Sequence, residues 1–198
     1  VTDALSLTAG VRHTEETKGI EIVSFTTTPL GAPVVVPTTY NTPGVPGPGL
    51  NILLQPFENE YSSTTGSASV QYQFTDTFMT YLSWSQGFKS GGFNQRYNNA
   101  PPGNVPVAFD EEKAETFELG FKSEFGGNFR LNGAIFRTSY DEMQLTYRLG
   151  IVPLLFNAGE SKIEGAELEF TYAPGAFILE GSLGYLDNEF EEIAEVPG

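Results

Sequence analysis

The acidic side chains and the single histidine are the first groups of this chain that could do chemistry. His13 lies beside Glu15 and Glu16, and a Ser-His-Asp hydrolase would need a histidine held between a serine and a carboxylate. Glu111-Glu112 and Glu191-Glu192 could supply a general acid and a general base. Adjacent residues of a strand point to opposite faces, however, so neither pair would converge on one substrate. We therefore predict that the chain is not an enzyme and that His13 is a solvent-exposed residue at a strand end.

The acidic segment from Asp187 to Glu195 offers oxygen ligands of the kind that calcium prefers. It lacks the fixed glycine and the alternating spacing of a dedicated calcium loop. We expect no metal and no other cofactor, and at most a diffuse bridging of divalent ions between acidic side chains and an anionic membrane surface.

A second set of residues could contact a small ligand. Phe93, Asn94, Arg96 and Tyr97 follow a strand-like segment and combine aromatic, amide and cationic groups. Arg96 could bind a carboxylate or phosphate through two parallel hydrogen bonds, and Tyr97 could stack on a flat ligand. We predict that these four residues bind ligand. The alternative is that this segment only packs the loop, above all at Ser90-Gly91-Gly92-Phe93.

The overall composition excludes several classes of protein. The chain has 198 residues with a net charge of −15, and its ten basic residues are scattered. Nucleic-acid binding needs clustered Lys and Arg, so we expect no nucleic-acid partner. The absence of cysteine rules out disulfides and thiolate metal sites. No apolar run reaches the length of about 18 residues that a membrane helix needs.

Alternation of side chains is the main structural signal. In the segment 166–172, for example, Ala166, Leu168, Phe170 and Tyr172 alternate with polar residues. The segment from 128 to 148 is equivocal, since Arg137 stands where the pattern requires an apolar residue. The pattern predicts about seven strands, at 4–16, 64–74, 78–88, 114–124, 128–148, 162–172 and 177–188.

The connections between these strands differ in length at the two ends of the predicted sheet. The short ones are Thr75-Asp76-Thr77, Phe125-Gly126-Gly127 and Ala173-Pro174-Gly175-Ala176. The long ones run over about 26–61, 89–113 and 150–161. This asymmetry is typical of a transmembrane β-barrel with short periplasmic turns and long extracellular loops. A soluble antiparallel sandwich is the alternative, but its connections would not separate so cleanly by length. Trp84 and the tyrosines at strand ends are predicted to lie at the membrane interface.

The run from Tyr81 to Asn94, Tyr-Leu-Ser-Trp-Ser-Gln-Gly-Phe-Lys-Ser-Gly-Gly-Phe-Asn, resembles a signature of TonB-dependent outer-membrane receptors. Further segments match later and earlier strands of that family in the expected order. They are 7–12, 109–123, 157–169 and 183–187. The resemblance covers nearly the whole chain except the Pro-rich stretch from Pro29 to Pro56.

The resemblance implies an all-β fold, an antiparallel transmembrane β-barrel of about 22 strands of which these seven are a part. We expect residues 1–198 to be a segment of that barrel, without the plug domain and without a signal peptide. Glu118, Glu167, Glu169 and Glu180 would then face the lumen and the plug.

The implied function is energised import of a ferric siderophore or a similar nutrient across the bacterial outer membrane. The implied partners are outer-membrane lipid and lipopolysaccharide, the receptor's own N-terminal plug, the TonB complex acting through the plug, and a small-molecule ligand. A receptor for a carbohydrate or cobalamin, a passive porin and a barrel-anchored adhesin are the alternatives.

Overall fold

The computed structural model describes residues 4–20, 26–27, 33–34, 57–94, 107–149 and 152–193. The described residues form strands joined by turns and contain no helix long and apolar enough to span a membrane. The strands are β1 Leu5–Ile20, β2 Thr26–Thr27, β3 Pro33–Val34, β4 Phe57–Thr75, β5 Phe78–Lys89, β6 Gly92–Phe93, β7 Ala108–Phe109, β8 Glu112–Phe125, β9 Phe129–Asp141, β10 Gln144–Leu149, β11 Val152–Asn157, β12 Gly159–Tyr172 and β13 Leu179–Ile193.

Seven long strands form one antiparallel sheet in the order β1-β4-β5-β8-β9-β12-β13. Each long strand therefore pairs with the next long strand of the chain, as in an up-and-down barrel wall. The sheet does not close, because β1 and β13 remain at its edges. The prediction of an all-β, antiparallel, partial barrel is confirmed. Three small hairpins, β2–β3, β6–β7 and β10–β11, lie outside this sheet.

All three short connections lie at one end of the sheet, as predicted. Gly126, Gly127 and Gly175 have φ values of 59°, 70° and 80°, which only glycine adopts at little cost. The remaining short turn joins β4 to β5. There the side chain of Gln73 donates to the carbonyl oxygens of Thr75 and Phe78, next to a β-bulge between Gln73 and Thr75. These turns set the register of the hairpins that follow them.

The two faces of the sheet differ in polarity. One face carries large exposed apolar side chains such as Leu7, Val70, Leu82, Leu119 and Leu168. The register places these residues side by side on neighbouring strands, for example Leu7 opposite Val70 and Val70 opposite Leu82. A face this apolar is not expected in water but suits contact with lipid. The other face carries Ser, Thr, Gln and Glu and corresponds to the lumen side of a barrel.

Aromatic rings form a girdle on the apolar face near the short turns. Ring centroids lie 4.6 to 6.4 Å apart along two series of contacts. The residues are Tyr72, Phe74, Phe78 and Phe121, followed by Phe125, Phe129 and Tyr172. Aromatic girdles of this kind mark the interface between membrane and water in outer-membrane barrels.

Glycines within the strands lie beneath aromatic rings of neighbouring strands. Tyr81 covers Gly120, and Phe136 covers Gly165; in each pair the two residues are register partners. A Cβ atom at either glycine would overlap the ring. The ring thus fills the space that the glycine leaves, which is a recognised way to stabilise glycine in a sheet.

The predicted strand at 128–148 and the predicted long loop at 150–161 are wrong. The chain breaks after β9 at Glu142, whose φ of 55° is left-handed, and then forms the β10–β11 hairpin. The alternation could not show this break, because the residues on both sides of it remain strand-like. β1 and β4 also extend beyond the predicted limits, to Ile20 and back to Phe57. On the face that is apolar elsewhere in the sheet, these extensions carry Thr17, Glu58 and Glu60, so the alternation that marks the rest of the strands ends there.

Candidate functional site

Two of the predicted ligand-binding residues, Phe93 and Asn94, lie at the end of the sheet opposite the short turns. Phe93 belongs to β6 and is partly exposed, and Asn94 follows it directly. Arg96 and Tyr97 lie outside the described residues. Ligand binding by these four residues stays a prediction.

Gly91 and Gly92 of the signature run pack against the polar face of β1 and β4. Lys18 Nζ donates to the carbonyl oxygen of Gly91 at 2.7 Å, and the Tyr61 hydroxyl donates to that of Gly92 at 3.2 Å. Lys18 and Tyr61 share their face with the serines of the lumen side. Because both contacts lie on that side, the segment Ser90–Asn94 folds over the lumen and not toward lipid.

Asn94 joins two hairpins through its side-chain amide. Its Nδ2 donates to the carbonyl oxygens of Val107 at 3.2 Å and Leu155 at 2.9 Å, and its Oδ1 accepts from the Leu155 amide at 2.7 Å. The residue is 6% exposed. Both Nδ2 hydrogens therefore have acceptors within the protein.

Gln144 and Asn157 form a second junction at the base of the β10–β11 hairpin, where they are register partners. Gln144 Nε2 lies 3.0 to 3.3 Å from the carbonyl oxygens of Lys89, Ser90 and Asp110. Asn157 Nδ2 donates to the carbonyl oxygens of Asp110 at 3.0 Å and Glu142 at 2.9 Å. The sequence analysis missed Gln144. In the sequence, Gln144 is only a single amide residue within a segment assigned as strand, and nothing in the pattern marks it as a junction.

The four glutamates predicted to face the lumen lie on the polar face by register. Glu118, Glu167, Glu169 and Glu180 pair with residues of that face on each neighbouring strand. The Tyr81 hydroxyl donates to Glu118 Oε1 at 2.6 Å, so this carboxylate has an internal donor. A contact of these residues with a plug domain stays a prediction.

The outer face becomes charged just beyond the apolar residues. Arg137 lies on this face between Phe117 and Glu164, and its Nε is 3.9 Å from Glu164 Oε1. Lys162 Nζ is closer to the same oxygen, at 2.7 Å. Trp84 lies at the same border, and its Nε1 donates to Glu115 at 2.8 Å. These side chains mark the upper boundary of the apolar band.

The groups that could suggest catalysis do not converge. His13 is exposed, with Nδ1 2.8 Å from the Thr64 hydroxyl and Nε2 3.1 Å from Glu15. Glu111 pairs with Lys113, whereas Glu112 accepts from the backbone N–H of Gln144, so these adjacent carboxylates have different partners. Among the residues that the structure describes, no three His, Asp or Glu side chains are placed to hold a metal ion.

Comparisons with known proteins agree with this architecture. The pesticin receptor of Yersinia pestis is 34% identical over 113 residues, which are 56% of this chain and 16% of that receptor. The crystal structure of the ferric yersiniabactin uptake receptor FyuA from Yersinia pestis matches 96% of this chain and 25% of its own, with a TM-score of 0.66 and 23% identity. The siderophore receptor PiuA from Acinetobacter baumannii matches 100% of this chain and 25% of its own, with a TM-score of 0.63 and 20% identity.

The two solved structures are less than 25% identical to this chain and establish the fold. The chain spans a quarter or less of each of these relatives. The sequence pattern of the family described as TonB dependent receptor-like, beta-barrel, matches residues 1–197. The chain therefore belongs to the TonB-dependent receptor family, and its seven long strands are part of that family's β-barrel.

Proposed function

We propose that this chain is part of an outer-membrane receptor that imports a ferric siderophore by TonB-dependent transport. The observation that carries the proposal is the seven-stranded sheet of this family, apolar on one face and polar on the other, with hairpins folded over its polar face. A wall of this kind has lipid on one side and a lumen on the other.

The open edges of the sheet support a larger barrel. Within a bilayer every backbone N–H and C=O group needs a partner, so β1 and β13 would each require a further strand. The complete receptor would then supply those strands, as well as a plug domain in contact with Glu118, Glu167, Glu169 and Glu180. TonB would act on the plug and not on the strands described above.

The proposed cargo rests on the relatives. The names of FyuA and PiuA describe uptake of ferric yersiniabactin and binding of a siderophore. The proposed ligand contacts are Phe93, Asn94, Arg96 and Tyr97. For Asn94, a contact with ligand would compete with its bonds to Val107 and Leu155.

Outer-membrane lipid is the proposed partner of the outer face. A groove of about 820 Å³ lies on the apolar face, and its lining includes Phe78, Phe121, Gly133 and Leu168. A smaller groove, of about 370 Å³, continues from Leu119 and Ile135 to Arg137. An acyl chain would fill the apolar part, and the Arg137 guanidinium would meet the lipid headgroup.

The experiment that tests the proposed function is uptake of radioactive iron in the source bacterium. The gene for the complete receptor is deleted, and cells are supplied with a panel of ⁵⁵Fe-loaded siderophores under iron limitation. We expect saturable uptake of at least one chelate to disappear in the deletion strain and in a strain without TonB, and to return when the receptor gene is restored.

The alternatives give different results in the same strains. A carbohydrate or cobalamin receptor would leave uptake of every ferric chelate unchanged and would show TonB-dependent uptake of its own substrate. A passive porin would show uptake that does not saturate and does not need TonB. An adhesin would show no change in uptake and a loss of surface binding.

A further inference from the structure

The β6–β7 and β10–β11 hairpins share an arrangement of buried amides that the proposed function does not require. Asn94, Gln144 and Asn157 each bond to backbone groups of another segment. Besides the contacts with Val107 and Glu142, they make seven bonds to carbonyl oxygens or N–H groups of distant residues. Asn94 and Gln144 are 6% and 8% exposed. Buried amides of this kind are costly unless they are fully bonded, so each fixes the position of its partners.

The side-chain amide of Asn94 takes the place of a neighbouring strand at the edge of β11 that does not pair with β10. Its amide accepts from the N–H group and donates to the carbonyl oxygen of the same residue, Leu155. A strand partner satisfies an edge residue in the same way, with one donor and one acceptor. The β10–β11 hairpin is thereby attached to β7 through Asn94, whose backbone N–H and side chain both donate to Val107.

Gln144 and Asn157 attach the base of the same hairpin to the wall. Gln144 reaches the end of β5 at Lys89 and Ser90, and its backbone N–H donates to Glu112 at the start of β8. The carbonyl oxygen of Asp110 accepts from both Gln144 and Asn157. The hairpin is therefore bonded at its base and, through Leu155, along β11.

We propose that the described strands of β6–β7 and β10–β11 form one mechanical unit, which unfolds locally as a whole, and that Asn94 and Gln144 are the positioning residues that hold it together. The two side chains bond to different backbone groups, so coupling between them has to pass through the backbone of the two hairpins, either along β10–β11 or along the segments 90–94 and 107–110. A role of this unit in ligand binding would rest on the proposed function. That the two hairpins act as one unit does not depend on it and is tested without ligand.

The test is hydrogen exchange, followed by mass spectrometry, on the complete receptor in lipid nanodiscs. Two segments report on the unit, each resolved from longer overlapping peptides that begin upstream: 143–146, which contains the backbone N–H of Gln144, and 152–158, which contains the backbone N–H of Leu155. Asn94→Ala removes the bonds to Leu155, and Gln144→Met removes the bonds to Lys89, Ser90 and Asp110 while it preserves side-chain size. Gln73→Met is the control, since it removes an amide that donates to the carbonyl oxygens of Thr75 and Phe78 at the opposite end of the sheet.

If the hairpins are one unit, each variant will raise exchange by about tenfold in both peptides, including the peptide with no bond to the substituted side chain. Coupling of this kind is reciprocal, so the remote effects of the two variants should be similar. The control should leave both peptides unchanged, and exchange of the wall peptide 166–172 should not change in any variant.

The proposal is overturned if Asn94→Ala changes only 152–158 while Gln144→Met changes only 143–146. It is also overturned if exchange rises equally in 166–172, since the amides would then stabilise the whole wall. Should Asn94→Ala fail to reach the membrane, Asn94→Asp replaces it. The aspartate keeps an acceptor for the Leu155 amide but places a carboxylate against the carbonyl oxygens of Leu155 and Val107, and the same pattern of exchange is expected.

Discussion

Gly91 shows at the scale of single residues why the signature run contains glycine. A Cβ atom at Gly91 would overlap the Tyr61 ring and the carbonyl oxygen of Phe109. A Cβ atom at Gly87, on the same stretch of chain, would meet no atom within 4 Å. The run is therefore packed tightly at Gly91 and loosely at Gly87.

This contrast predicts different effects of the same substitution. Gly91→Ala should destabilise the complete receptor by about 1–3 kcal/mol, because the rigid ring and the backbone carbonyl must both move. Gly87→Ala should change the stability by much less. The measurement is the free energy of unfolding in urea with the receptor in detergent or lipid. Equal effects of the two substitutions would contradict the packing described for Gly91.

The sequence predicted the candidate residues only in part, and the reason is physical. The packing role considered for the Ser-Gly-Gly-Phe run agrees with the contacts of Gly91 and Gly92, whereas ligand binding at this segment stays a prediction. The roles of Asn94 and Gln144 could not be predicted, because their partners are backbone carbonyl groups up to 61 residues away. A carbonyl group is present at every residue, so no pattern of side chains reveals which one is bound.

Among the elements, the strands were predictable wherever one face contacts lipid. Alternation located six of the seven long strands, because their apolar side chains recur at every second residue. The strand at 128–148 was assigned from its neighbours, and its end was wrong. The same rule did not detect the hairpins β6–β7 and β10–β11. β6 and β7 have only two residues each, which is too short for a pattern, and β10 continues the alternation of β9 so that the break between them is hidden.

The assignment of faces predicts opposite results for two adjacent residues of β4. Val70 lies in the middle of the apolar face, and Gln71 lies on the polar face. Val70→Arg should destabilise the membrane-inserted receptor by about 2–4 kcal/mol, the cost of an arginine that faces lipid at mid-membrane depth.

Gln71→Arg is the matched control and should have a smaller effect, since its side chain points to the lumen. The comparison is made by urea unfolding in lipid vesicles, or by the amount of folded receptor in the outer membrane. A larger loss for Gln71→Arg than for Val70→Arg would mean that the two faces are assigned the wrong way round.

At the scale of the whole molecule, the asymmetry of the connections gives the sheet a direction in the membrane. The short turns near Asp76 and Gly126 lie at one end, and the hairpins held by Asn94 and Gln144 lie at the other. In the orientation that outer-membrane barrels adopt, the short turns face the periplasm and the long connections face outward. The proposed uptake requires this direction, because the ligand arrives from outside.

Labelling of single cysteines in intact cells tests this orientation most directly, and the chain itself contains no cysteine that would interfere. Thr146→Cys places a thiol on the exposed part of β10, and Asp76→Cys places one on a short turn. We predict that a membrane-impermeant maleimide labels the cysteine at position 146 in intact cells and labels that at position 76 only after the outer membrane is permeabilised. Labelling at position 76 but not at position 146 in intact cells would contradict the account.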